Sequence, residues 1–223
     1  MEQVLREMGT ALQNGASLSI ILPDHPNVGR AFSDQGLKRL RHEAPQAAEE
    51  GRIQAFSLAT STREDGQEHY RPIYVHAKVG IVDDLWSTVG PGNLNNRGMK
   101  DDTEMNVFTL NSDLTRELRF MLQAEHLGLI EPDDLLALSR FLNKNRQSEI
   151  EKQRGEQLFH YLKEMLDDPL AAMHLMSERA RENLQRCKAN QPLIGHLLPY
   201  LTGEEAIQQG LNFRKEHGWI EEP

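Results

Sequence analysis

A single cysteine, Cys187, stands in 223 residues. That excludes an internal disulfide framework and any zinc site built on cysteine pairs. No apolar run reaches the roughly 18 residues that a membrane-spanning helix needs. The opening segment, MEQVLREMGTALQNG, sets Glu2 and Glu7 among Val4, Leu5, Met8 and Leu12, a spacing that predicts an amphipathic helix and not a signal peptide. Basic charge is also in short supply: 25 Lys and Arg against 34 Asp and Glu give a formal net charge of −9. Nucleic-acid binders gain affinity by displacing counterions with a basic surface, so no nucleic-acid partner is expected. A small anionic substrate in a pocket of focused positive charge stays compatible with this balance. Repeats and low-complexity segments are absent too. With one thiol and no export signal in view, the expected setting is a reducing cytoplasm.

What is present suffices for a core: 38% hydrophobic residues beside 26% charged ones. The character of the chain changes near Gly128. Before it, short β-branched runs alternate with helical patterns. LSIIL predicts a buried strand ended by Pro23, and residues 33–50 carry helical periodicity interrupted by Pro45. IQAFSLAT predicts a strand, and TSTREDGQEHY a polar hairpin or loop around Asp65-Gly66. IYVHAKVGIVDD predicts one long strand, LWSTVG a second and MNVFTL a third. LTRELRFMLQAEHLG predicts an amphipathic helix closed by Gly128. After Gly128 only helical spacing is read, in PDDLLALSRFLNK, SEIEKQRGEQLFHYLKEML and DPLAAMHLMSERARENLQRCK. Asp168-Pro169 there forms a cap followed by a first-turn proline. The expected organisation is an α/β domain over residues 1–130 with a helical C-terminal extension over 131–223.

Chemistry concentrates in YVHAKVGIVDDLWSTVGPGNLNNRGMKDDTEMNV. His76, Lys78 and Asp83 stand in the spacing H-x-K-x4-D. Gly90 and Asn93 follow where a G-S-x-N would fall. On a strand, period two puts His76 and Lys78 on one face. A phosphodiester site needs such a pair. An imidazole attacks phosphorus or protonates the leaving oxygen, while an ammonium and an amide N–H neutralise the non-bridging oxygens. Asn93 supplies that amide from the loop after the next strand, and Glu104 is placed to orient the imidazole.

These residues resemble the phospholipase D superfamily and its HKD motif. HAKVGIVDD, GNLNNR and DDTEMNV are similar to the second motif of bacterial and plant-type members, and AEHLGL and GHLLPYL look familiar from bacterial ones. The resemblance implies a mixed sheet flanked by helices, with a helical tail. It also implies a metal-free, cofactor-free reaction through a phosphohistidine intermediate at a site where two motifs meet. By that likeness His76, Lys78, Asn93 and Glu104 are the catalytic residues, with His76 the acid. Asp83, Gly90 and Arg97 belong to the motif as structural residues, Asp83 anchoring away from the phosphate. Two positions depart from the pattern. The motif serine is Pro91 here, which removes a hydroxyl and a backbone N–H; and the arginine-serine pair is Arg97-Gly98, the milder change.

No other histidine has a lysine two residues on, so the chain carries one motif where the chemistry needs two. The second is expected from a dimer partner or from a missing N-terminal half, because the family's catalytic half opens with a strand ahead of the helix that begins this chain. The expected substrate is a phospholipid or another phosphodiester, hydrolysed or passed to an alcohol, with peripheral membrane contact and a bacterial-type cytoplasmic or membrane-peripheral location; a truncated N-terminus leaves export open. The alternatives are a dimeric HKD nuclease or phosphodiesterase, and a degenerate non-catalytic binding module. Arg71 and Lys100 read as solvated charges, Trp86 as core packing, His126 as a helix-end histidine and Cys187 as a buried thiol. The tail's Leu158, Leu162, Met165, Leu166, Met173 and Met176 read as residues that pack on the body.

Since no cysteine pair or cluster of metal-ligating side chains surrounds His76 in the sequence, EDTA should leave phosphodiester turnover unchanged. Strict loss of turnover with chelator, restored by a divalent cation, would point to a different mechanism.

Overall fold

The computed structural model describes residues 2–24, 29–144, 147–215 and 217–220. The chain forms two compact units: one of residues 1–76, 177–193 and 197–223, the other of residues 77–176 and 194–196. Both combine strands and helices, so the fold is mixed α/β. No helix among the described residues is long and apolar enough to cross a membrane.

The first unit is organised by one long strand. Helix α1 (Glu2–Gln13) leads into β1 (Leu18–Ile21), then α2 (Arg30–Glu43) and α3 (Pro45–Glu49). The break expected at Pro45 is the boundary between these helices, with the proline in the first turn of α3, where its missing N–H costs nothing. Strand β2 (Ile53–Glu64) follows and is paired along most of its length. Its first half runs parallel to β1, Ile21 facing Phe56. Its second half runs antiparallel to β3 (Gln67–Pro72). The connecting Asp65 and Gly66 have φ of +50° and +82°, the left-handed pair that a two-residue hairpin turn requires.

The other edge of β2 takes a strand that the sequence reading did not expect. After α7 (Pro169–Lys188), Leu197–Pro199 forms β7 and pairs antiparallel with Phe56–Leu58. Strands therefore do not stop at Gly128. Leu197 and Leu198 are fully buried, and a three-residue segment buried on both faces shows no alternation by which to read it. Beyond it come Tyr200, the short helix α8 (Gly203–Gln208), and Trp219 and Ile220, all contributing buried side chains to this unit. Between α7 and β7 the chain also buttresses the β2–β3 hairpin. Tyr70 Oη donates to Gln191 O at 2.8 Å, and Asn190 Oδ1 accepts from Glu68 N at 2.8 Å. Cys187 is half-buried against the cluster that holds Leu198 and Trp219, and burial pushes its thiol up to about 12.

The second unit contains the meander β4 (Val79–Val82), β5 (Trp86–Val89) and β6 (Val107–Thr109), followed by α4 (Ser112–Leu127), α5 (Pro132–Leu142) and α6 (Glu149–Leu166). Asn111 caps α4 through its side chain, and Ser148 with Glu151 forms a reciprocal capping box on α6. Phe120, Leu138, Leu162 and Leu166 are fully buried. Tilted ring contacts link Phe159 to Phe120 and Phe141 at 6.1 and 6.2 Å. At the end of α4, His126 Nδ1 hydrogen-bonds Glu125, and His196 Nε2 lies 3.4 Å from the other oxygen of Glu125. The hydrogen bond from His126 holds the Glu125 carboxyl below its ordinary value against partial burial.

A buried ion pair ties the C-terminal residues of the first unit to its N-terminal half. Arg30 reaches Asp24 Oδ1 at 3.0 Å with side chains 2% and 0% exposed, and donates to Leu201 O at 2.7 Å. The backbone N–H groups of Trp219 and Ile220 donate to Asp24 Oδ2 at 2.9 and 3.0 Å. The Arg30 guanidinium lies over the rings of Tyr200 and Phe213. Removing one partner of such a pair leaves an uncompensated buried charge. Asp24→Ala should therefore lower the unfolding free energy by about 3–5 kcal/mol, read by urea denaturation. A loss within the usual surface range of about 0.5 kcal/mol would show that the clasp does not hold the C-terminal segment.

Candidate active site

The motif residues are set by how the chain passes from β3 to β4. Pro72 ends β3 and has no N–H with which to extend its ladder. Ile73 N still donates to Leu58 O at 2.8 Å, and Gly90 N donates to Lys78 O at 3.2 Å. The long strand expected from Ile73 is thus only β4, Val79–Val82, and both His76 and Lys78 lie in the segment before it, outside any strand. His76 closes the first unit, while Lys78, Asn93 and Glu104 belong to the second. Within the first unit the exposed His76 ring stacks on Tyr74, centroids 5.8 Å apart at 23°. Sequence reasoning did not single out Tyr74, although its position two residues before His76 is the signal that would have found it.

In the second unit, β5 connects the lysine to the loop that bears Asn93. Val79 faces Val89, and Lys78 O accepts from Gly90 N, so Lys78 stands opposite the first residue of that loop. On the far edge of β5, Val89 faces Val107, which brings Asn106 against Gly90. A Cβ at Gly90 would lie 2.3 Å from Asn106 Oδ1 and 2.7 Å from its Cα, so no side chain fits there. Asn106 Oδ1 in turn accepts from Gly92 N at 3.1 Å. Pro91 has no N–H to give, and the next amide is committed to Asn106. Two consecutive backbone donors are thereby withdrawn from any anion in this loop. Asn106 is a second residue that the sequence reading missed.

Asn93 itself is exposed and backed by glycine. A Cβ at Gly98 would come within 2.7 Å of Asn93 O and 2.9 Å of Asn93 N, while Gly98 N donates to Asn95 Oδ1 at 2.7 Å. Gly98 in place of the motif serine is therefore what lets the loop close behind Asn93; a serine there would force the backbone at one of the two residues to shift. The following turn, Arg97–Asp101, has wide π-type hydrogen bonding. Its ends are joined by Arg97 Nε to Asp102 Oδ1 at 3.0 Å and by Asp102 N to Arg97 O at 3.0 Å. Lys100 is exposed, and Glu104 is half-buried in the extended run that leads to Asn106 and β6.

Asp83 sits on the β4–β5 turn with φ of +51°, followed by Asp84 at +52°. Left-handed backbone costs most side chains roughly 1–2 kcal/mol, and Asp is among the few that adopt it readily. Asp83 is exposed. The ion pair in this turn belongs to its neighbour: Arg119 of α4 donates to Asp84 through Nε at 2.7 Å and Nη2 at 2.5 Å.

With the geometry in place, known proteins bear on it. A family model described as cardiolipin synthase, PLD-like domain, matches residues 1–124, a stretch that contains every motif residue above. Cardiolipin synthase A of Pseudomonas aeruginosa strain LESB58 is 26% identical over 141 residues, covering 62% of this chain and 25% of that protein. Cardiolipin synthase A of Pseudomonas putida strain W619 is 26% identical over 135 residues, 60% of this chain and 24% of that protein. The chain thus spans about a quarter of the length of these relatives. Matched over more than half its length, it belongs to the PLD-like family of cardiolipin synthase, within the phospholipase D superfamily.

Proposed function

We propose that the chain supplies one half of a phospholipase D-type active site that transfers or hydrolyses phosphatidyl groups. The observation that carries this reading is the backbone bond between Gly90 and Lys78. It sets the motif lysine at the root of the loop that presents Asn93, which gives two donors for phosphate oxygens from neighbouring parts of one hairpin. In this reading His76 is the general acid, Glu104 orients its imidazole, and Lys78 and Asn93 stabilise the non-bridging oxygens. A histidine from a second motif attacks phosphorus as the bond to the leaving oxygen breaks, and His76 gives that oxygen its proton. Water or an alcohol, deprotonated by the same imidazole, then displaces the phosphohistidine nitrogen. Residues 1–130 form the catalytic half in this proposal, and residues 131–223 its extension. The second motif comes from another copy of the chain or from an N-terminal half outside these 223 residues. The phospholipid substrate brings peripheral contact with a bilayer, in a bacterial-type cytoplasmic or membrane-peripheral setting.

A second reading, a binding module without turnover, is favoured by the phosphate loop itself. Pro91 lacks an amide, and that of Gly92 is bound to Asn106. One experiment separates the two. The purified chain is assayed on bis-p-nitrophenyl phosphate and on phosphatidylglycerol vesicles, as monomer, as dimer, and with added polypeptide carrying a first motif. Turnover only in the latter two states is the expected result. His76→Asn should then lower kcat by roughly 10²–10⁴-fold. Vesicle binding without turnover in any state would establish the binding module instead. Full turnover by a proven monomer would contradict the half-site.

A further inference from the structure

The β4–β5 hairpin is poorly anchored by apolar packing. Val79, Val82, Leu85 and Val89 are all exposed. Besides the β5–β6 ladder, two polar contacts from one face of α4 hold it within the second unit. Ser87 Oγ meets Thr115 Oγ1 at 3.0 Å, both residues buried. One helical turn further on, Arg119 grips Asp84 at the hairpin's tip through Nε and Nη2, with side chains 8% and 18% exposed. The remaining guanidinium nitrogen is also committed, to Gln123 Oε1 at 2.9 Å and to Leu166 O at the end of α6 at 2.7 Å. The planar fork is thus fixed from behind by α4 and α6, and its Nε–Nη2 edge grips the Asp84 carboxylate, with Asp167 O also 3.5 Å from Nη2.

We infer that Arg119 is a positioning residue: by holding Asp84 at the tip of the hairpin, it sets where the opposite end places Lys78 and the loop bearing Asn93. The hairpin acts as a short lever. Its tip is clamped by the Arg119–Asp84 pair, and its open end is closed by the Gly90 N to Lys78 O bond. Loss of the clamp lets the strands tilt or fray, and both phosphate-binding groups move together. The α5–α6 region, which carries no motif residue, acquires a role through Leu166 O, since it helps to aim the guanidinium. As far as turnover is concerned, the inference rests on the phosphodiesterase reading; as far as hairpin geometry is concerned, it does not.

The test uses the full chain with Arg119→Gln, Asp84→Asn and the double variant. Peptide-level amide exchange is followed over residues 78–90, with α2 and the first turns of α6 as internal controls. Each single variant should speed exchange across 78–90 by about tenfold or more while the controls stay protected. The double variant should be no worse than Arg119→Gln alone, because that substitution already removes the pair with Asp84. In the catalytically active assembly, kcat should fall by about 10²-fold, the scale of an ångström-level misplacement, with KM within a few-fold. Unchanged exchange across 78–90 in both single variants would overturn the inference, whatever the activity. A rise in KM with kcat intact would overturn it too, since that marks direct substrate contact. If Arg119→Gln fails to fold, Asp84→Asn decides, because there Arg119 keeps its bonds to Gln123 and Leu166; unfolding of both would show a fold determinant, not a positioning residue. If the wild type shows no turnover in any assembly, the phosphodiesterase reading falls, and the exchange arm still decides for or against the clamp.

Discussion

Strand β5 is four residues long and hydrogen-bonded on both edges, and the register of those two pairings fixes the relation among the motif residues of the second unit. On one side it aligns Gly90 with Lys78; on the other it aligns Gly90 with Asn106. A slip of one residue in the first pairing would turn Lys78 to the opposite face. A slip in the second would remove the acceptor for Gly92 and set a different side chain against Gly90, where no room exists. Register in so short a meander cannot come from apolar burial alone, because much of its surface is exposed. It is pinned instead by the Asp83-Asp84 turn, by Ser87 against Thr115, and by the absence of a Cβ at residue 90. The motif is thus a set of geometric demands as much as a set of reactive groups.

The departures at residues 91 and 98 take on opposite meanings in this frame. Gly98, read from sequence as a mild loss, is required by the approach of the backbone to Asn93. Pro91, read as the loss of one hydroxyl and one amide, coincides with capture of the next amide by Asn106. The loop is therefore depleted in backbone donors, and in the proposed reading the load of phosphate binding falls on side chains. On that proposal Lys78 and Asn93 matter more than in a loop that offers its backbone to the anion.

Much of the architecture was legible in the sequence because its signals are local. Periodicity located α1, α4, α6 and α7, Asp65-Gly66 marked the hairpin, and Pro45 the helix boundary. What escaped depends on partners distant in the chain. Leu197–Pro199 becomes a strand only because β2 has an open edge at Phe56–Leu58. The segment from Ile73 to Lys78 looks like strand by composition, yet ladder pairing begins only at Val79. The order His76, Lys78, Asn93, Glu104 carried the family reading, and the match over residues 1–124 bears out the family. Tyr74, Asn106 and Arg119 were not singled out, since a ring stack, a loop buttress and a guanidinium fork are invisible until the chain folds. Asp84 was masked by its neighbour Asp83, the residue that fits the motif spacing.

The central claim is that Lys78 and Asn93 form a phosphate-oxygen site that His76 serves in the assembled protein. Its most direct measurement is a crystal structure of the active assembly with tungstate or vanadate, oxyanions that mimic the phosphoryl group. The account predicts the anion within hydrogen-bond reach of Lys78 Nζ and Asn93 Nδ2, with one ring nitrogen of His76 at about 3 Å, and a second motif completing the other side. An anion bound elsewhere, or a structure in which His76 points away from both donors, would contradict it.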